Sequence, residues 1–374
     1  MSNFGFVIAH LPFLLVAIAT PFAQGKAKWF AYAVMAALAI GAPLILPEFT
    51  QQYSAMWVLV VLALTWDMQG GQMGYNSLGN IFFFGLGMYM SAIFQVSVAH
   101  DLGEYTYAGG INVFEFTSVQ YFTGLAIGLI AAPVICAILA IPLGWVLFGL
   151  RGPYFAIGTL GVAIAAGEMF GTWEWIGAGQ GISMPPFPGD PDTAKYTLYM
   201  LNFALVVATF GVAAWLYSTR FGLALNAIRD DEQKAEGMGL QTLWIKQVCW
   251  AIAAFFVGLC GAIYGNTVGF IEPLEVAFQT IYLGIFMVVA VLLGGKGTLW
   301  GPVLGAILFH VLKEGTWTYI LGWQWVALGV LIVVIVVYFQ DGIMGSLRRS
   351  RPELFGEFVD RKAAEEAARG EAPA

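Results

Sequence analysis

The sequence predicts an all-α polytopic membrane protein, and three observations carry that prediction. Of its 374 residues, 59% are apolar and only 10% charged, whereas a soluble domain carries about 25% charged residues. The mean hydropathy is +0.78. The apolar residues fall in long unbroken runs such as 57–66 and 326–339, not in the alternating runs of about ten residues that build outer-membrane barrels. Such a chain cannot cover an ordinary water-facing surface, which excludes a soluble enzyme, a disordered protein and a nucleic-acid binder.

A spanning helix needs about 20 mostly apolar residues. Candidate spans fall at 4–23, 29–46, 53–68, 77–99, 119–148, 153–171, 196–217, 247–267, 278–294, 301–313 and 322–340. The first lacks a preceding positive charge and a small-x-small cleavage site, so it reads as a retained helix. Stretch 77–99 is Gly-rich and 301–313 is short, so about ten crossings are expected. The three cysteines, Cys136, Cys249 and Cys260, lie in apolar runs and read as small packers.

The charges orient the spans. Lys26 and Lys28, Arg151, the basic residues of 220–246, Lys296 and those of 348–369 fall on one set of connections. Glu48, Asp101, Glu104, Glu115, Glu174, Asp190, Asp192, Glu272 and Glu275 fall on the alternate set, with Lys195 the exception. Positive residues stay in the cytoplasm, which predicts a periplasmic N-terminus, a cytoplasmic C-terminus and an odd number of crossings, eleven fitting the map. Residues 1–347 form one transmembrane domain, and 348–374 form a polar tail with six basic and six acidic residues.

The most informative stretch lies in the long connection 218–246. Residues 220–239 read RFGLALNAIRDDEQKAEGMG. Ala224, Ala227, Ile228, Ala235 and Met238 recur at helical spacing, leaving Arg229, Asp230, Glu232, Lys234 and Glu236 for the other faces. Gly237 and Gly239 can end such a helix. A helix lying on the membrane surface would show a bulky apolar face and a basic polar one. This apolar face is small and the polar face mixed, so docking into a cytoplasmic protein fits better.

The same run resembles the coupling segment of the permease subunits of branched-chain (hydrophobic) amino-acid ABC importers of the LivM type. Three further segments resemble that family in the same order: GYNSLGNIFFFG at 74–85, LRGPYFAIGTL at 150–160 and LGGKGTLWGP at 293–302. The resemblance implies a permease with Gly-interrupted or re-entrant segments and a cytoplasmic coupling helix carried by Arg220, Gly222, Ala224, Ala227, Arg229, Asp230, Glu232, Ala235 and Gly239. It also implies a related second permease, two cytoplasmic ATPases, a periplasmic substrate-binding protein and a place in the bacterial inner membrane. ATP and magnesium would sit in the ATPases and no cofactor in this chain. The sequence contains no Gly-x4-Gly-Lys-Ser/Thr phosphate loop.

Glycine-interrupted segments in the two halves of a transporter point towards the path. Residues 67–92 and 294–305 are such segments. The first is open to path or packing, and the second reads as packing or a turn. Path candidates are Asp67, Asn76, Ser77, Asn80, Thr159 and Glu168. Asp67 is expected to face a polar cavity or the cytoplasmic surface, Thr159 to bond back to its own helix, and Glu168 to mark the outer membrane edge or line the path. Asn80, Asp67 and Gln180 stand where the family commonly has histidine, asparagine and an acidic residue, so the cargo stays open among hydrophobic amino acids, urea, short amides and small organic acids. His310 reads as a satisfied interface histidine; Trp29, Trp57, Trp173, Trp175, Trp300 and Trp323 read as interfacial anchors. The different-class alternative is a stand-alone secondary transporter or channel, which would need more intramembrane ionisable residues than Asp67, Glu168 and Glu314.

Overall fold

A computed structural model describes residues 3–23, 25–320, 322–338 and 342–350. The tail expected over 348–374 therefore lies outside the described residues beyond Ser350. The helices are α1 (Asn3–Ala19), α2 (Lys26–Ile45), α3 (Thr50–Asp67), α4 (Asn80–Ser97), α5 (Leu102–Tyr107), α6 (Ser118–Leu147) and α7 (Pro153–Thr172). They continue with α8 (Pro191–Ser218), α9 (Arg220–Gly237), α10 (Thr242–Val268), α11 (Ile285–Gly294), α12 (Gly301–Tyr319), α13 (Gln324–Tyr338) and α14 (Gly342–Ser350). Among the described residues, seven stretches are long and apolar enough to cross a membrane by themselves, and Ile8–Phe22 and Gln324–Ile335 are shorter apolar helices. The chain is an all-α polytopic membrane protein.

Hydrophobicity on every side places α3 at the centre: residues 56–73 are buried without exception. It packs on α8, α10, α11 and α12, while α4, α6 and α10 pack on one another. The periphery belongs to α1, α2, α6 and α13, whose outward residues Ile8, Phe30, Leu44, Ile130 and Val330 are large, apolar and exposed. Lipid is the solvent that suits them. The two doubtful stretches are both full helices. α4 runs 18 residues without a break, about 27 Å at about 1.5 Å per residue, and α12 extends to 19 residues rather than ending near 313. Trp57 corrects the anchor reading: it is buried and its Nε1 donates to the Tyr199 hydroxyl at 3.0 Å.

The acidic loops gather at one end. Strand β1 (Ile182–Ser183) pairs antiparallel with β2 (Phe270–Ile271), and the Tyr105 hydroxyl donates to the Ser183 carbonyl at 2.9 Å. Several of their carboxylates have a local task. Asp101 accepts from the Glu104 amide, Asp190 from those of Asp192 and Thr193, and Glu272 from that of Glu275. Each caps a helix start, where orphan amides and the positive dipole end favour a carboxylate. Arg151, α9 and the 295–297 turn meet at the other end.

Among the described residues, regular helix gives way before α4 and again before α11. After α3, Met68–Met73 widens into a π-turn, and an irregular stretch leads to α4. In the second half, the expected span 278–294 is formed by a π-turn, Thr280–Gly284, running into α11, and a further π-turn, Pro273–Ala277, precedes it across a break at Phe278 (φ −105°, ψ 42°) and Gln279 (φ −64°, ψ 74°). The Gly-rich 294–305 stretch packs tightly, as expected: a side chain on Gly294 would collide with the Gly301 carbonyl, and one on Gly305 with the Ala290 carbonyl.

Candidate functional site

The site begins with a helix that breaks. Asp231 sits at φ −161°, ψ 101°, splitting α9 into two arms. The Asp231 carboxylate accepts the Lys234 amide at 3.0 Å and pairs with the Lys234 ammonium at 2.9 Å. Asp231 therefore caps the second arm. The backbone bond from Lys234, followed by its side chain, holds the Asp231 carboxyl below its usual range. This break overturns the single helix expected over 224–236. Met238, expected on the apolar face with Ala235, is 84% exposed just past the end of the second arm, while Ala235 is buried.

A buried polar joint fixes this kinked element to the bundle. Glu232, the first residue after the break, pairs with Lys246 of α10 at 2.5 Å, their side chains 14% and 4% exposed. The Tyr75 hydroxyl donates to the other Glu232 oxygen at 2.5 Å and receives a hydrogen bond from the Lys246 ammonium at 3.1 Å. That ammonium also lies 4.6 Å from the Tyr75 ring centre and 5.3 Å from that of Phe148. Burial opposes ionisation of Glu232, but the bonds from Lys246 and Tyr75, with the Lys246 and Arg151 charges, outweigh it and hold the carboxyl below its usual range. Removing one member of such a buried pair costs about 3–5 kcal/mol, because the other charge is left without compensation. Neither Tyr75 nor Lys246 stood out in the sequence. A lysine four residues into an apolar helix was the available signal.

A second tie runs through Asp67. Its carboxylate accepts the Gly297 amide at 2.7 Å and faces the Tyr217 hydroxyl at 3.5 Å, and it is buried. The sequence placed it against a polar cavity or the cytoplasmic surface; it is instead enclosed among polar partners, where its carboxyl oxygens tie the π-turn to the 295–297 turn. Beside it the Arg229 guanidinium donates to the Gly71 carbonyl at 3.4 Å and to Asp230 at 3.1 Å. α9, the first interrupted segment and the 295–297 turn are thus one connected unit.

The structure sorts the expected coupling residues into inner and outer sets. Gly222, Glu232 and Ala235 point into the protein, as does Leu225, which sequence reasoning missed. A side chain on Gly222 would strike the Tyr217 backbone, so glycine there lets α8 turn tightly into α9. Ala224 and Ala227 are half-buried. Arg220, Asp230 and Gly239 are exposed, and so is Leu223 at 69%. A cavity of about 540 Å³ opens between α9 and the start of α7, bordered by Asn76, Arg151, Arg229 and Asp230.

The remaining path candidates scatter. Asn76 is exposed at that cavity, Ser77 and Asn80 are buried, and neither polar atom of the Asn80 side chain has a partner among the described residues. Thr159 donates to the Ala156 carbonyl of its own helix at 2.9 Å, as expected, and also accepts the Leu78 amide at 3.1 Å, pinning the loop before α4. Glu168 is exposed on α7, near the end where the acidic loops gather. His310 lies 5.6 Å, ring centre to ring centre, from His10, both buried between α1 and α12, and its Nε2 has no partner among the described residues, which corrects the satisfied reading. That proximity was invisible in the sequence.

Comparison with known proteins places this arrangement. The chain is 27% identical over 329 residues to the high-affinity branched-chain amino acid transport system permease protein LivM of Escherichia coli, covering 79% of this chain and 75% of that protein. It is 27% identical over 163 residues to the corresponding protein BraD of Pseudomonas aeruginosa, covering 43% and 50%. Over 121 residues it is 28% identical to the autoinducer 2 import system permease protein LsrC of Photorhabdus laumondii, covering 31% and 35%. No solved structure matches the chain. The model of the family described as branched-chain amino acid transport system, permease component, matches residues 48–339, well over half of the sequence, and the chain belongs to that family.

Proposed function

We propose that this chain is one of two permease subunits in an ATP-driven importer of branched-chain and other hydrophobic amino acids in the bacterial inner membrane. A related second permease completes the channel, a periplasmic binding protein delivers the amino acid, and two ATPases dock against α9 from the cytoplasm. ATP and magnesium belong to those ATPases; this chain binds neither. The N-terminus is periplasmic and the C-terminus cytoplasmic, which puts the basic connections and α9 on the ATPase side. The cargo reading leans on the LivM relatives that match over three-quarters of their own length.

One observation carries the proposal. α9 is anchored inward by the Glu232–Lys246–Tyr75 joint while it offers Leu223, Asp230 and Met238 outward. An element gripped on one side and open on the other suits a lever. When the ATPases close, the outer face is pushed and the joint hands the displacement to α10 and to the loop before α4, so that the spans rock between outward- and inward-facing states. In the reconstituted complex, Leu223→Asp is expected to lower uptake and substrate-stimulated ATP hydrolysis together, by roughly tenfold, a loss of about 1.4 kcal/mol at the docking surface. Unchanged uptake and hydrolysis would remove α9 from the motor interface.

A further inference from the structure

We infer that the groove alongside the broken helix 273–284 binds the aliphatic side chain of the amino acid in transit, with Glu275 at its mouth receiving the ammonium group. This rests on the importer reading above and names a substrate surface within it.

Backbone that leaves regular helix at membrane depth must be buried in protein or line water. The break at Phe278 and Gln279 is buried on one side only. There the Phe278 ring stacks on Tyr89 at 6.2 Å and 17° and lies 5.2 Å from Phe170. On the other side it opens into a groove of about 410 Å³. The far wall is Leu160 and Ile164 of α7, and Leu78 comes from the loop that follows the first interrupted segment. Irregular segments from both halves of the chain therefore border one groove, the arrangement in which transporters place their substrate.

The lining fits one chemistry. Leu78, Leu160, Ile164 and Leu274 are branched aliphatic residues around the Phe278 ring. Gln279 and Thr280 add polar atoms along one edge. Glu275 is exposed and forms no ion pair among the described residues. A lipid tail would fill the aliphatic wall but offers Glu275, on the acidic-loop side of the membrane, no cationic partner. A zwitterion with a branched side chain satisfies both ends: carbon against Leu160 and Ile164, ammonium towards Glu275.

The test uses proteoliposomes holding the complete importer, with binding protein saturated by leucine or by alanine. Ile164→Phe narrows the groove and is expected to lower leucine uptake roughly tenfold relative to alanine, the scale on which pockets discriminate small changes in side-chain size. Leu160→Ala widens it and is expected to shrink the preference for leucine, which keeps the comparison available if the first variant does not assemble. Glu275→Gln is expected to raise KM for both amino acids with kcat retained. A wall that merely packs against lipid or against the second permease would change both uptakes by the same factor. An unchanged leucine-to-alanine ratio in both groove variants overturns the groove and leaves the importer reading standing. Uptake of neither amino acid by the unaltered complex overturns both.

Discussion

The two interrupted segments solve the same physical problem in different ways. Both abandon the α-helical ladder at depth, where unpaired backbone groups cost several kcal/mol. The first, 67–79, is closed by polar ties: Asp67 to Gly297, Arg229 to Gly71, Thr159 to Leu78, and Tyr75 to Glu232 and Lys246. The second, 272–284, is held by aromatic packing around Phe278, Tyr89 and Phe170 and leaves its outer side open. Polar ties are directional and transmit position; packing holds shape and leaves room. The first arrangement suits a mechanical joint and the second a surface that a solute passes over.

That contrast can be broken at the joint with the largest effect. Lys246→Met leaves Glu232 buried without its counter-charge, and a loss of about 3–5 kcal/mol is expected. Thermal unfolding of the detergent-purified complex reads this as a lowered Tm. An unchanged Tm would mean that the pair carries little of the joint. The next effect is smaller. Asp67→Ala strips the acceptor from the Gly297 amide and should cost about 1–3 kcal/mol, the penalty of a donor left without its partner. Hydrogen exchange should rise at 295–297 and stay unchanged at 273–284; equal protection at both would merge the two segments into one unit.

The smallest effect sharpens the joint by pH. Glu232 and Asp231 have carboxyls held below their usual range. Their stabilisation is therefore complete above the unfolded values, about 4.3 for Glu and 3.9 for Asp, and is lost as the pH falls through the lower folded values. Amide exchange in 232–237 should quicken only below about pH 4. In Lys246→Met burial is no longer outweighed, so the onset moves to higher pH. An onset at the same pH in both proteins would detach Glu232 from Lys246.

Legibility followed the physical signal. The apolar runs gave the spans because lipid selects for them directly, and α4 and α12 corrected only their completeness. Residues 220–239 drew notice because charge stands out in a chain that is 10% charged. The kink was harder to see: Asp230, Asp231 and Glu232 all look alike along a helix, and only the cap that Asp231 makes to Lys234 shows which of them interrupts it. The first interruption announced itself through glycine. The second is built from PLEVAFQTIYLG and holds no glycine before Gly284, so its break is set by packing between distant residues that no local pattern encodes. The same holds for Tyr75 and Lys246, 171 positions apart, and for His10 and His310.

The central claim is that α9 passes motion through the Glu232–Lys246–Tyr75 joint, and the number of amino acids imported per ATP hydrolysed tests it most directly. In the reconstituted importer, Lys246→Met and Glu232→Gln should each lower that ratio by roughly tenfold or more, a coupling loss of at least about 1.4 kcal/mol, while hydrolysis continues. The exchanged pair Glu232→Lys with Lys246→Glu should recover most of it. A ratio that stays at the unaltered value in both single variants would contradict the account.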